Sequence, residues 1–72
     1  MDEEIFKTHT DFVVYCIEEY KAAKKMSGKE VMELFKKHNV IDYIRNNYEA
    51  LHTMGGLAIT EDLQMFIDAG AN

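Results

Sequence analysis

Between Phe12 and Ile17 the chain is apolar for six consecutive residues, Phe-Val-Val-Tyr-Cys-Ile, which is more than one and a half turns of a helix. A surface helix carries apolar residues on only part of its circumference. The run sits inside a longer stripe of Ile5, His9, Phe12, Val13, Cys16, Ile17, Tyr20 and Ala23, spaced three or four apart. That spacing predicts a first helix over about residues 2–25. Asp2, Glu3 and Glu4 stand at its positive end and Lys21, Lys24 and Lys25 at its negative end. In such a helix Val14 and Tyr15 face away from the main stripe. Either the helix is central and wrapped on several sides, or its far side meets another chain. A buried strand is the weaker reading of the run, because Glu18 to Ala23 continues as good helix-forming sequence.

The rest of the chain reads as shorter helices. Ser27-Gly28-Lys29-Glu30 has the form of a capping box, with the Ser hydroxyl and the Glu carboxylate each accepting an amide hydrogen. It opens a second helix over about 28–38, with Val31, Leu34, Phe35 and His38 inward. Asn39 tolerates a left-handed conformation and stops it. Ile41, Ile44, Tyr48 and Leu51 predict a third helix over about 40–51, broken by Met54-Gly55-Gly56. Residues 57–59 read as a short extended stretch. Thr60 is the expected N-cap of a last helix over about 61–69, and Ala71-Asn72 are expected to fray. The expected fold is all-α, a compact bundle of about four helices, one long and three short, forming a single domain over 1–72.

Charge and composition exclude several functions. One cysteine, Cys16, forbids an intramolecular disulfide, and a small secreted domain normally carries several. The acidic start is unlike a secretory leader, and no apolar run approaches the ~20 residues of a membrane span. A cytoplasmic protein is the expectation. The net charge of −5 is unevenly spread: residues 1–20 hold one Lys against six acids, residues 21–37 six Lys against two acids, and residues 38–72 one Arg against five acids. An acidic chain is repelled by phosphate backbones, which disfavours generic nucleic-acid binding.

No catalytic, cofactor or metal set emerges. Glu49 and His52 match E-x-x-H and share a helix face, but di-iron bundles need two copies and further inward carboxylates. Cys16 lies within the apolar run beside Glu18 and Glu19, so it reads as a small core hydrophobe rather than a nucleophile. His9 and His38 read as helix-face residues near the core. Gly55-Gly56 lacks the Lys and Ser or Thr of a phosphate loop. Segment 27–51 could imitate a helix-turn-helix, with Arg45, Asn46, Asn47 and Tyr48 facing bases. A DNA-binding regulator is therefore the alternative reading, and a small metal-dependent enzyme the second alternative. The first reading is a protein-interaction module, homodimeric or paired with another protein. Its expected contact residues are Val14 and Tyr15, followed by Tyr48 and His52.

The words Phe12-Val-Val-Tyr-Cys-Ile-Glu-Glu-Tyr-Lys, Met26-Ser-Gly-Lys-Glu-Val, Leu34-Phe, Tyr43-Ile and Tyr48-Glu-Ala-Leu-His-Thr follow one another in this order. Together they resemble a family of short bacterial proteins, domain of unknown function 3791, over nearly the whole chain. The sequence departs from that pattern at Leu57-Ala58-Ile59-Thr60, where an aromatic-apolar-apolar stretch would be expected. The resemblance implies no activity. It implies a small cytosolic protein, an accessory or antitoxin-like partner of a neighbour-encoded protein.

Overall fold

The computed structural model describes residues 3–70. They form α1 (Glu3–Lys24), α2 (Gly28–Lys37), α3 (Val40–Asn46), α4 (Tyr48–Leu51) and α5 (Gly56–Gly70). The expected helical start at Asp2 and the expected fraying of Ala71 and Asn72 lie outside the described residues. Among the described residues there is no strand.

α1 carries Glu3 and Glu4 in its first turn and Lys21 and Lys24 in its last, as its macrodipole favours. It ends in a left-handed residue, Lys25 at φ 54°. The Met26 amide then donates to the Lys21 carbonyl at 3.1 Å, the six-to-one bond of a Schellman motif. α2 starts with the expected capping box. The Glu30 amide donates to Ser27 Oγ at 3.1 Å, and the Ser27 amide donates to Glu30 Oε1 at 2.9 Å. The bond from the Ser27 amide, with the Ser27 hydroxyl second, holds the Glu30 carboxyl below its ordinary pKa. Asn39 adopts φ 57° between α2 and α3, as its side chain permits.

Two expectations are corrected. The third helix is not continuous from 40 to 51. It breaks at Asn47, whose side-chain amide donates to the Tyr43 carbonyl at 2.8 Å and so competes with the backbone ladder. Residues 57–59 are not extended, and Thr60 is not an N-cap. Ile59 already donates its amide to the Gly55 carbonyl at 2.9 Å, and the Thr60 hydroxyl bonds back to the Gly56 carbonyl at 3.0 Å. Core packing overrides local propensity here: Ile59, Leu63 and Ile67 recur at four-residue intervals and all enter the core.

α1 is the central element, packing against α5, α2 and α3. Its buried Val13, Cys16 and Tyr20 meet Val31 and Phe35 of α2, Val40 and Ile44 of α3, Leu51 of α4 and the α5 stripe in one cluster. The Tyr20 ring packs edge-on against Phe35, and its hydroxyl donates to Gln64 Oε1 at 2.6 Å. On α3, Tyr43 stacks on Phe66 and donates to Asp62 Oδ1 at 2.6 Å, which ties α3 to α5. The other helices cover one side of α1 only. Val14 is left 52 % exposed and Tyr15 43 % exposed, so this protomer does not wrap the six-residue run.

Candidate aromatic contact surface

Three-residue steps along α1 bring His9, Phe12 and Tyr15 round one side of the helix. The break at Asn47 turns α4 so that Tyr48 packs against them. Tyr48 meets Phe12 edge-on at 5.2 Å between centroids and His9 at 4.6 Å. One turn further, His52 stacks on Tyr48 at 4.7 Å with rings 10° from parallel. Tyr15 lies over Phe12 at 6.0 Å. The result is a row of rings from Tyr15 through Phe12 and Tyr48 to His52, half-buried in its middle and exposed at both ends. The neighbouring Glu19 charge raises the Tyr15 phenol above its ordinary pKa. His52 Nδ1 lies 2.9 Å from the Tyr48 carbonyl, so that nitrogen carries the hydrogen and donates it.

Three of the four expected contact residues, Tyr15, Tyr48 and His52, are thus joined through Phe12. Val14 is not. At 100° per residue Asp11 and Glu18 fall between Val14 and Tyr15 on the helix circumference, so the two exposed side chains belong to separate patches.

Two grooves lie where α1 meets α4 and α5. One, of about 280 Å³, is lined by Glu4, Ile5, Thr8, His9, Tyr48 and Glu49. The other, of about 390 Å³, lies at the opposite end of α1 between Ala23, Lys24 and the α5 residues Leu57, Glu61 and Met65. Leu57 and Met65 are each 72 % exposed. Neither was expected at a contact surface, because residues 57–59 read as extended. The signal was present once the helix is known to start at Gly56: positions 57, 61, 64 and 65 then share one face.

The residues weighed for chemistry are otherwise engaged. Cys16 has no exposed surface, and burial, with the Glu19 charge second, pushes its thiol up to about 12. Arg45, the candidate base-reading cation, points back at α1. Its guanidinium lies 4.7 Å over the Phe6 ring and donates to Thr10 Oγ1 at 2.9 Å. Glu49 and His52 are both exposed, and among the described residues no three His, Cys, Asp or Glu side chains gather as a metal site would need. No described helix is long and apolar enough to cross a membrane.

No curated protein and no solved structure matches the chain. A family model matches residues 11–70, from just before Phe12 to the end of α5, and so covers the whole aromatic row and the larger groove. The chain therefore belongs to the family described as protein of unknown function DUF3791.

Proposed function

We propose that this chain is a small, non-catalytic, cytoplasmic protein-interaction module that docks a second protein through the row of Tyr15, Phe12, Tyr48 and His52. One observation carries the reading: aromatic rings from two helices are assembled into a single row and left half open to solvent. Tyrosine suits such a place because it buries apolar area and keeps a polar tip. An inaccessible thiol with a raised pKa is a poor nucleophile, which favours binding over catalysis. The finer role we favour is an accessory, antitoxin-like partner of a neighbour-encoded protein, acting by occlusion rather than by chemistry.

The test is co-expression with the proteins encoded beside it, followed by size-exclusion chromatography with light scattering. A stoichiometric complex is expected, or a dimer of the chain alone, and Tyr15→Asp should dissolve either. A monomer that elutes alone under every co-expression, or a complex indifferent to Tyr15→Asp, overturns the proposal.

A further inference from the structure

Among the described residues, four of the six large hydrophobics left exposed are Ile5, Tyr15, Leu57 and Met65. All four lie along the seam where α1 meets α4 and α5. Ile5 lines the groove at one end and Leu57 and Met65 the groove at the other, with the aromatic row between them. On α1 the seam runs from Ile5 to Ala23, eighteen residue steps and so about 27 Å at 1.5 Å per residue. Its borders are acidic. Asp11 and Glu18 flank Tyr15 one turn to either side, Glu49 lines one groove and Glu61 the other. Among the described residues Lys24 is the one cation lining either groove, 5.8 Å from the centroid of the Tyr20 ring, and on the outer border Lys21 Nζ lies 3.9 Å from Glu18 Oε2 in an exposed pair that solvent and salt screen.

Resting on the interaction reading above, we infer that this seam takes a basic amphipathic helix of a different protein, laid lengthwise from one groove to the other. Its apolar stripe covers the aromatic row and the two grooves, and Lys or Arg on its flanks faces the acidic borders. Spanning the seam takes about five turns, or about 18 residues.

A second copy of the chain does not fit. An isologous dimer across this seam sets acidic border against acidic border, since both borders carry the same sign. The Lys-rich α2 could meet the acids, but its Val31 and Phe35 have no exposed surface, its Met32 and Leu34 are partly buried, and its ten residues reach about 15 Å, little more than half the seam. No intact copy therefore offers both an apolar stripe and basic flanks of sufficient length.

The experiment titrates the uniformly ¹⁵N-labelled full chain with a synthetic Leu/Lys amphipathic helix of about 18 residues in about 0.15 M salt. A matched Leu/Glu peptide is run in parallel. The Leu/Lys peptide should shift amides at Ile5, Tyr15, Tyr48, Leu57 and Met65, and added salt should weaken it. The double variant Leu57→Lys with Met65→Lys should lose at least about tenfold in affinity, as loss of apolar anchors does. Val14→Ser, on the other exposed patch, should stay within about twofold. Circular dichroism of each variant verifies the fold.

Equal binding of the Leu/Glu peptide, shifts centred on Val14 or α2, or a double variant that binds like the wild type overturns the inference. A dimer of the chain alone that Tyr15→Asp dissolves, or a natural partner that withstands Leu57→Lys with Met65→Lys but is lost with Tyr15→Asp, likewise overturns the basic-helix seam, while the interaction reading stands.

Discussion

Gly56 opens α5 directly against the carboxylate of Glu19. Its φ is not positive, so the backbone would accept any residue, and the constraint is one of space. A Cβ at position 56 would lie 2.6 Å from Glu19 Cδ and 3.1 Å from Oε1, closer than side chains tolerate. Gly56→Ala therefore sets two effects against each other. Removing a glycine from a helix favours the folded state by about 0.5–1 kcal/mol. The Glu19 carboxylate is the free end of a flexible side chain and can swing aside, but doing so forfeits its interaction with the positive end of α5, worth about 0.3–1 kcal/mol. Taking mid-range values, the two effects nearly cancel, and Gly56→Ala alone changes stability by less than about 0.5 kcal/mol. With Glu19→Ala already made, nothing remains to displace, and the same substitution stabilises by about 0.5–1 kcal/mol. The coupling between the two positions is thus about 0.6 kcal/mol, the size of the lost helix-end interaction and above the scatter of about 0.3–0.5 kcal/mol seen for independent sites. Urea unfolding of the four proteins, followed by far-UV circular dichroism at neutral pH, measures it. An equal effect of Gly56→Ala in both backgrounds would refute the argument that the Glu19 carboxylate fixes glycine at this position.

Three further predictions follow from the local geometry. Lys25 holds the left-handed C-terminal position of α1, so Lys25→Gly should raise unfolding stability by about 1 kcal/mol in the same urea assay. The sealed Cys16 thiol, pushed up to about 12, should stay unreactive to a thiol-exchange reagent in buffer and react once in denaturant. The Tyr43 phenol, bonded to Asp62, is raised from 10.0 to about 12, so the folded state holds this proton more tightly than the unfolded chain. The stability it contributes is full below pH 10 and is lost as pH rises towards 12. The stability gap between the wild type and Tyr43→Phe should narrow over that range in an alkaline unfolding series, and a constant gap would contradict the bond.

The helical periods of α1 and α2 are legible because several independent signals agree there: a three-to-four spacing, acids and lysines at the correct ends, and a capping box at Ser27. α3 and α5 are less so, for different reasons. Asn47 is compatible with a helix interior by its neighbours' spacing, and its side chain breaks the helix through a bond to Tyr43 that no periodicity reveals. Leu57-Ala58-Ile59 is too short and too apolar to distinguish strand from helix on its own. The deciding fact is that Ile59 lies one turn before Leu63 in a shared core. The same error hid Leu57 and Met65, since their common face exists only if α5 begins at Gly56. Tyr15, Tyr48 and His52 were each nameable singly, but their union depends on the turn at Asn47, a tertiary fact.

The six-residue apolar run from Phe12 to Ile17 divides cleanly in three dimensions. Val13 and Cys16 fill the core, Phe12 and Ile17 border it, and Val14 and Tyr15 remain open. A chain this short cannot spread more helices round α1, since small domains bury a limited share of their surface. The exposed remainder is not uniform. Val14 stands apart from the seam, and an isolated exposed apolar side chain is ordinary on soluble proteins. Tyr15 continues into Phe12, Tyr48 and His52, where Tyr15 stacks on Phe12, Tyr48 on His52, and Phe12 meets Tyr48 edge-on, at 4.7–6.0 Å. Ring pairs of this kind are worth about 0.5–1.5 kcal/mol beyond the area they bury. The row is therefore held in place by its own stacking before any partner arrives, and less ordering entropy is left to oppose docking. That preorganisation, more than exposed apolar area alone, is why the Tyr15 side of α1, and not the Val14 side, is the proposed binding surface.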